Sequence, residues 1–162
     1  MRKLYYHFTS NKLRDGRPIP PTNEWLVHEG KVIMCTSGLH ASEQPYDALQ
    51  YAPGHILHRV ELDDVIDTQD DKVVARRRKI VATIDAAELL HAFARNAAWR
   101  AARYATGAAQ YAAQSAAGEA RNAARSAADA AQSAADAAWS AIREQFNAVV
   151  EEAFIEQEKT RI

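Results

Sequence analysis

The stretch KVVARRRKIVATIDAAELL, residues 72–90, holds the change of grammar on which the fold turns. Up to Asp85 it is rich in β-branched residues: Val73, Val74, Ile80, Val81, Thr83 and Ile84 favour extended chain. The basic run Arg76, Arg77, Arg78 and Lys79 sits in the middle, so the segment is predicted as one strand or two. After Asp85 the sequence becomes AAELL and then nearly all alanine. Asp85 is a good helix N-cap, because its carboxylate can accept hydrogen bonds from N–H groups that a helix start leaves unpaired. The boundary therefore falls near Asp85. Residues 1–85 are predicted as an α+β domain with a small, mostly antiparallel sheet. Residues 86–162 are predicted as a long alanine-rich α-helical segment of coiled-coil-like character.

Composition agrees with that division. All five prolines lie within residues 18–53, and four of the six glycines precede residue 55. Residues 86–141 include 27 alanines among 56 positions and no proline. Alanine has the best intrinsic helix propensity. One alanine seam runs through positions 97, 101, 105, 108, 112, 116, 120, 123, 127, 130, 134, 137 and 141. Its mean step is about 3.67 residues, the period of a nearly straight, slightly right-handed contact line. A continuous helix from 86 to 158 would be roughly 110 Å long. Small side chains bury little area but let a second backbone approach closely. The seam thus calls for a partner: a second copy, the same helix folded back at Gly107 or Gly118, or another protein. Larger apolar residues return at Trp139, Ile142, Phe146, Val149, Val150 and Phe154, which predicts a packed end.

In the first half, KLYYHFTS alternates Leu4, Tyr6 and Phe8 against Tyr5, His7 and Thr9, a strand pattern. DGRPIPPTNEW is a loop, since Asp-Gly and three prolines forbid regular structure. WLVHEGKVIMCTS is predicted as a hairpin turning at Glu29-Gly30. Residues 43–51 suit a short helix ended by Pro53-Gly54. HILHRVEL is predicted as a strand, and DDVIDTQDD as an acidic loop.

The totals exclude several classes of function. A formal net charge of −1 gives no general attraction to nucleic acid or anionic lipid. The single cysteine, Cys35, cannot form an internal disulfide, and with no signal-peptide pattern or long apolar run a cytoplasmic setting without a membrane span is expected. Cys35 itself reads as a small buried apolar residue. His55 and His58 are three apart and would point to opposite faces of a strand, so no metal site is expected from them. The Arg76–Lys79 run reads as a charged, solvated sheet edge.

Several of these pieces carry a resemblance. LYYHFTS resembles the first strand of the ADP-ribosyltransferase fold, in which a histidine lies against the NAD ribose; His7 and Thr9 match that element. SGLHASEQPYDALQY is similar to the family's second signature, a glycine and an aromatic on a strand followed by a short helix with Ala and Tyr. On that overlay His40 takes the place of the stacking tyrosine, and Tyr51 closes the segment. QDDKVVARRRKIVATI resembles the last signature, whose acidic residue holds the ribose, so Asp70 or Asp71 takes that role. The chain departs from the family at Phe8, where a glycine is usual, at His40, and in carrying aspartate for glutamate. The resemblance implies an NAD or ADP-ribose ligand, with His7, Thr9, His40 and Tyr51 binding it and Asp71 or Asp70 in the catalytic place. The Gly-Leu-His-Ala core and the alanine-rich tail also resemble an uncharacterised family of small phage and prophage proteins. That likeness implies an accessory protein of viral origin.

Three functions follow as expectations. The first is a phage-type protein that occupies a host factor, with counter-defence as its purpose. The second is an NAD- or ADP-ribose-binding protein, or a mono-ADP-ribosyltransferase. The third is a structural homo-oligomer held by the alanine helix.

Overall fold

The computed structural model describes residues 3–115 and 120–160, and within the helices the side chains of 99–101, 104 and 107–127 fall outside the description. The element order is β1 (Tyr5–Thr9), β2 (Trp25–Val27), β3 (Leu39–Ala41), α1 (Pro45–Leu49), β4 (Ile56–Thr68), β5 (Val73–Asp85), α2 (Ala87–Ser115) and α3 (Ala120–Thr160). The protein is α+β, with every strand pairing antiparallel.

The long β4–β5 hairpin is the frame. Its turn is closed by the Gln69 N–H donating to the Lys72 carbonyl at 2.8 Å. Residues 63–68, expected as an acidic loop, are the far end of β4. They become strand because β5 supplies opposite charge across the ladder: Arg77 meets Asp63 at 2.6 Å, Arg76 meets Asp64 at 3.0 Å, and Lys79 meets Glu61 at 2.8 Å. The basic run is therefore not a sheet edge. β5 is bonded to β4 on one side and to β3 and β2 on the other. Residues 25–37 do not form the expected hairpin either. Trp25, Leu26 and Val27 pair with Lys79, Arg78 and Arg77 instead, and the His28 N–H continues onto the Arg76 carbonyl.

β1 lies on the other side of β4, with His7 opposite His58. Tyr6 and Ser42 exchange two backbone hydrogen bonds of 2.8 and 2.9 Å. β1, β4, β5 and the β3 segment thereby form a ring of backbone pairing, and the sheet curls around one of its faces. Gly38 makes the approach to β3. Its φ is +115°, and a Cβ there would lie 2.7 Å from both Val32 and Val74, so only glycine fits.

The chain divides into two compact units, one comprising the described residues of Met1–Leu90 and Asn147–Ile162, the other His91–Phe146. In the first, the last turns of α3 cover a sheet face. Val150 and Phe154 are fully buried, and the Phe154 ring lies 6.2 Å from that of Tyr6. Asn147 Oδ1 accepts the Tyr46 N–H at 2.9 Å. That satisfies a donor at the start of α1, where Gln44 supplies no side-chain cap.

In the second unit Phe93 on α2 meets Phe146 on α3 edge to face, centroids 4.8 Å apart. A continuous helix would separate these rings by roughly 80 Å, so the chain folds back and the single rod is ruled out. Gly107 lies inside α2, and Gly118 lies outside the described residues. Ile142 and Phe146 are buried as the apolar spacing predicts, whereas Trp139 stays 60 % exposed. Of the seam residues with described side chains, Ala97 is half-buried, while Ala105, Ala130, Ala134, Ala137 and Ala141 are exposed. The remaining seam positions fall outside the description. The Asp85 carboxylate accepts the Ala87 N–H at 2.9 Å, as an N-terminal cap should. Among the described residues no helix is long and apolar enough to cross a membrane.

Candidate functional site

The face enclosed by the curled sheet carries polar groups where a core would ordinarily be apolar. His58, on β4, is almost fully buried. Its Nε2 is 2.8 Å from the Thr9 hydroxyl and its Nδ1 is 2.8 Å from the Thr83 hydroxyl. Each hydroxyl can donate or accept, so the pair can satisfy a neutral imidazole in either tautomer. Burial, with the nearby Arg78 charge, lowers its pKa to about 4. Thr9, expected as a ligand contact, spends its hydroxyl on His58.

Arg78 lies on the same face and is only 6 % exposed. Its Nη1 donates to the His40 carbonyl at 2.7 Å. Among the described residues that is its one hydrogen-bond partner, and no carboxylate reaches it. Burial pulls its pKa down to about 10. Buried charges are ordinarily paired, so Arg78 stands out.

His7 and His40 both lie within electrostatic range of this guanidinium. His7, part-buried on β1, makes no ring hydrogen bond among the described residues. Burial is the main cause that holds its pKa well below the ordinary histidine range, followed by Arg78, His58, His40 and Arg14. His40 is fixed more tightly. Its Nε2 accepts the Cys35 N–H at 3.1 Å, and the Gly38 carbonyl holds the ring from the other side. Burial again lowers its pKa, against that carbonyl, with Arg78, Lys72 and Arg14 acting in the same direction as burial.

The rim is built from the β4–β5 turn and the loop before β3. Asp71 accepts a short hydrogen bond from the Tyr51 hydroxyl. Lys72 Nζ donates to that hydroxyl at 3.3 Å. Hydrogen bonds to the Cys35 thiol and to Tyr51, in that order, push the Lys72 pKa up to about 12. Cys35 is exposed, with a left-handed φ of +63°, and is not the buried apolar residue expected. Asp70 is exposed in the turn and makes no side-chain contact among the described residues.

The structure thus sets the His40 carbonyl against the buried Arg78, leaves His7 within that residue's electrostatic range, ties Thr9 to His58, and joins Tyr51 and Asp71 to His40 through Lys72 and Cys35. In the sequence His58 figures only as half of a rejected metal pair and Arg78 only as one of a charged run. The signal for Arg78 lay in the cross-strand register: its three basic neighbours each face an acid on β4, while Arg78 faces Leu62 and Leu26. What results is a small curled-sheet domain that buries one arginine, Arg78, on its enclosed face, with the buried His58 in its electrostatic range. A family model described as "Domain of unknown function (DUF7666)" matches residues 3–92. The chain belongs to that family. No curated protein matches the chain, and no solved structure matches it.

Proposed function

We propose that the small domain binds a phosphate-bearing nucleotide of the NAD or ADP-ribose class in the recess around Arg78. The observation that carries this is the buried guanidinium without a carboxylate, whose one described partner is the His40 carbonyl. A neutral core would not keep such a charge, and a protein-binding face would not bury it. The overlay with the ADP-ribosyltransferase fold supports the same class of ligand. On that overlay His7, Thr9, His40 and Tyr51 would contact the ligand, with Asp71 or Asp70 in the acidic place. The proposal is for binding. The test is calorimetric titration of the purified protein with ADP-ribose and with NAD. Micromolar binding of at least one is expected, and silence with both overturns the nucleotide reading.

A second reading concerns the helical segment: that it engages another protein, in a phage-type accessory role a host factor. The exposed face holding Ala130, Ala134, Ala137 and Ala141 supports this reading, as does the exposed Trp139 on the other side of the helix. Light scattering separates its versions. A dimeric or larger mass assigns the face to a second copy. A monomeric mass leaves a foreign chain, which should then co-purify stoichiometrically from the host. A monomer with no partner sinks this second reading.

A further inference from the structure

We propose that the sheet face under the last turns of α3 is a docking site for one kind of helix, and that two copies of the chain fill it by exchanging those turns. Residues 147–158 of each copy then act as a strap that closes the sheet of the other.

The strap is fastened by one helix face, and its contacts lie within one compact unit. Asn147, Val150, Glu151, Phe154, Gln157 and Glu158 follow three- and four-residue spacing, so they share that face. Asn147 Oδ1 accepts the Tyr46 N–H at 2.9 Å, and Gln157 Nε2 donates to the Thr83 carbonyl at 2.5 Å. Glu151 and Glu158 meet Arg59 at 2.5 and 3.4 Å. Val150 and Phe154 are fully buried, and the Arg59 guanidinium lies 4.5 Å from the centre of the Phe154 ring. The site therefore selects an apolar helix face that carries two acids at a set spacing. A helix without those acids would cover Arg59 and leave its charge without a carboxylate, which is costly.

Nothing in these contacts depends on which chain supplies the strap. It reaches the sheet only after residues 91–146, which form a separate compact unit. A tether sets an effective concentration, and that concentration falls as the tether lengthens. A second copy makes the same contacts once chains are concentrated enough to match it. Exchange of identical elements is reciprocal, so it closes as a two-fold dimer and leaves no site open. The alanine seam favours a second copy over a foreign helix. Ala130, Ala134, Ala137 and Ala141 are exposed in the single chain, and small side chains let a second backbone come close. Two exchanged copies bring two such seams into one particle, whereas a foreign helix on the sheet brings none.

The experiment exchanges charge between full-length chains. One variant is R59E, and the other carries E151R and E158R. Each alone sets like charges face to face within its own chain. Mixed, each sheet meets opposite charge on the strap of the other chain, at both sites. After the two are refolded together from denaturant, a tag on R59E should capture the second variant in a 1:1 complex. That complex should melt above either variant alone. If the tag captures none of it, or the mixture melts as the separate variants do, the exchange is overturned. Variants that do not fold alone keep this readout, since rescue on mixing is then recovery of structure. A second measurement needs no charge reversal. The full-length Phe154→Ala chain, whose strap is loosened, is titrated with a labelled peptide of residues 147–160 and followed by fluorescence anisotropy. The peptide should bind, and its own Phe154→Ala form should bind at least about tenfold more weakly. Equal binding of the two peptides, or none by either, overturns the docking site.

Discussion

Two buried arginines lie on opposite faces of the same sheet, and they are treated in opposite ways. Arg59, on the face covered by α3, is 8 % exposed. It is met by Glu151 at 2.5 Å and Glu158 at 3.4 Å. Its guanidinium also lies 4.5 Å over the Phe154 ring and 5.9 Å from that of Tyr6. Arg78, on the enclosed face, is buried as deeply and has one carbonyl. Desolvating a charge is costly in either place. On the first face Glu151, Glu158 and the Phe154 ring of α3 offset that cost, although Arg59 Nε itself is buried without a partner. On the second nothing described does. The first face thus answers its arginine with carboxylates from α3, and the second with one backbone carbonyl.

The closed face should break hardest. Phe154 is fully buried between Tyr6 and Arg59, so Phe154→Ala should destabilise by about 3–5 kcal/mol. Denaturant unfolding measures it. A loss below about 1 kcal/mol, the size of a surface change, would mean that α3 does not close this face.

The open face should be the acid-sensitive one. The His58 pKa falls from 6.5 to about 4 on folding, so the unfolded chain binds its proton first as pH drops. Stability from this group is complete above pH 6.5, is lost progressively down to about pH 4, and changes no further below. At about 1.4 kcal/mol per pH unit the loss amounts to about 3 kcal/mol. The depressed pKa values of His7 and His40 act in the same direction. His58→Gln should flatten the decline of melting temperature between pH 7 and 4. Parallel declines in parent and variant would assign the acid sensitivity to other groups.

Removing the two arginines contrasts the faces directly. Arg59→Met strips Glu151 and Glu158 of their cation. Both glutamates are about half exposed, so the cost should be about 2 kcal/mol, below the range for fully buried pairs. Arg78→Met removes a buried charge with no acid to orphan, and should melt at or above the parent. Equal destabilisation by both would make Arg78 a structural residue and would end the comparison.

How much of this was legible before the structure depends on the range of the interactions. Strand β1 shows itself through alternation over five residues, and α2 through a cap and composition. Both are local signals. The buried stripe Ile142, Phe146, Val150 and Phe154 follows from four-residue spacing. The far half of β4 does not show itself, because Asp63, Asp64 and Asp67 look like loop until the arginines of β5 are opposite them. The hairpin at Gly30 was a local guess that lost to longer-range pairing with β5. In the site, His7 and His40 were reached through resemblance. Arg78 was hidden in a run of four basic residues, and only pairing register separates it from the other three. Cys35 looked apolar and buried, but its left-handed backbone turns it outward ahead of Gly38.

The smallest expected effects distinguish two neighbouring aspartates at the rim. From the sequence either Asp70 or Asp71 was expected in the acidic place, and the structure separates them. Asp71 is half-buried and bonded to Tyr51, whose hydroxyl also receives Lys72. Asp70 is exposed without a side-chain contact among the described residues. For stability, Asp71→Asn should cost less than about 1 kcal/mol, because Tyr51 and Lys72 are largely solvated and exposed charge pairs contribute little. Asp70→Asn should fall within about 0.5 kcal/mol of the parent. For binding, the contrast should be larger than for folding. If the ribose of a nucleotide sits at this rim, Asp71→Asn should weaken ADP-ribose by about 1–2 kcal/mol, the scale of one lost hydrogen bond to a charged acceptor. Asp70→Asn should leave the affinity unchanged. Pyrophosphate, which has no ribose, should be indifferent to both. An ADP-ribose affinity that falls in Asp70→Asn and not in Asp71→Asn would reverse the assignment. Indifference to both would move the ribose away from the turn while leaving the Arg78 recess untouched.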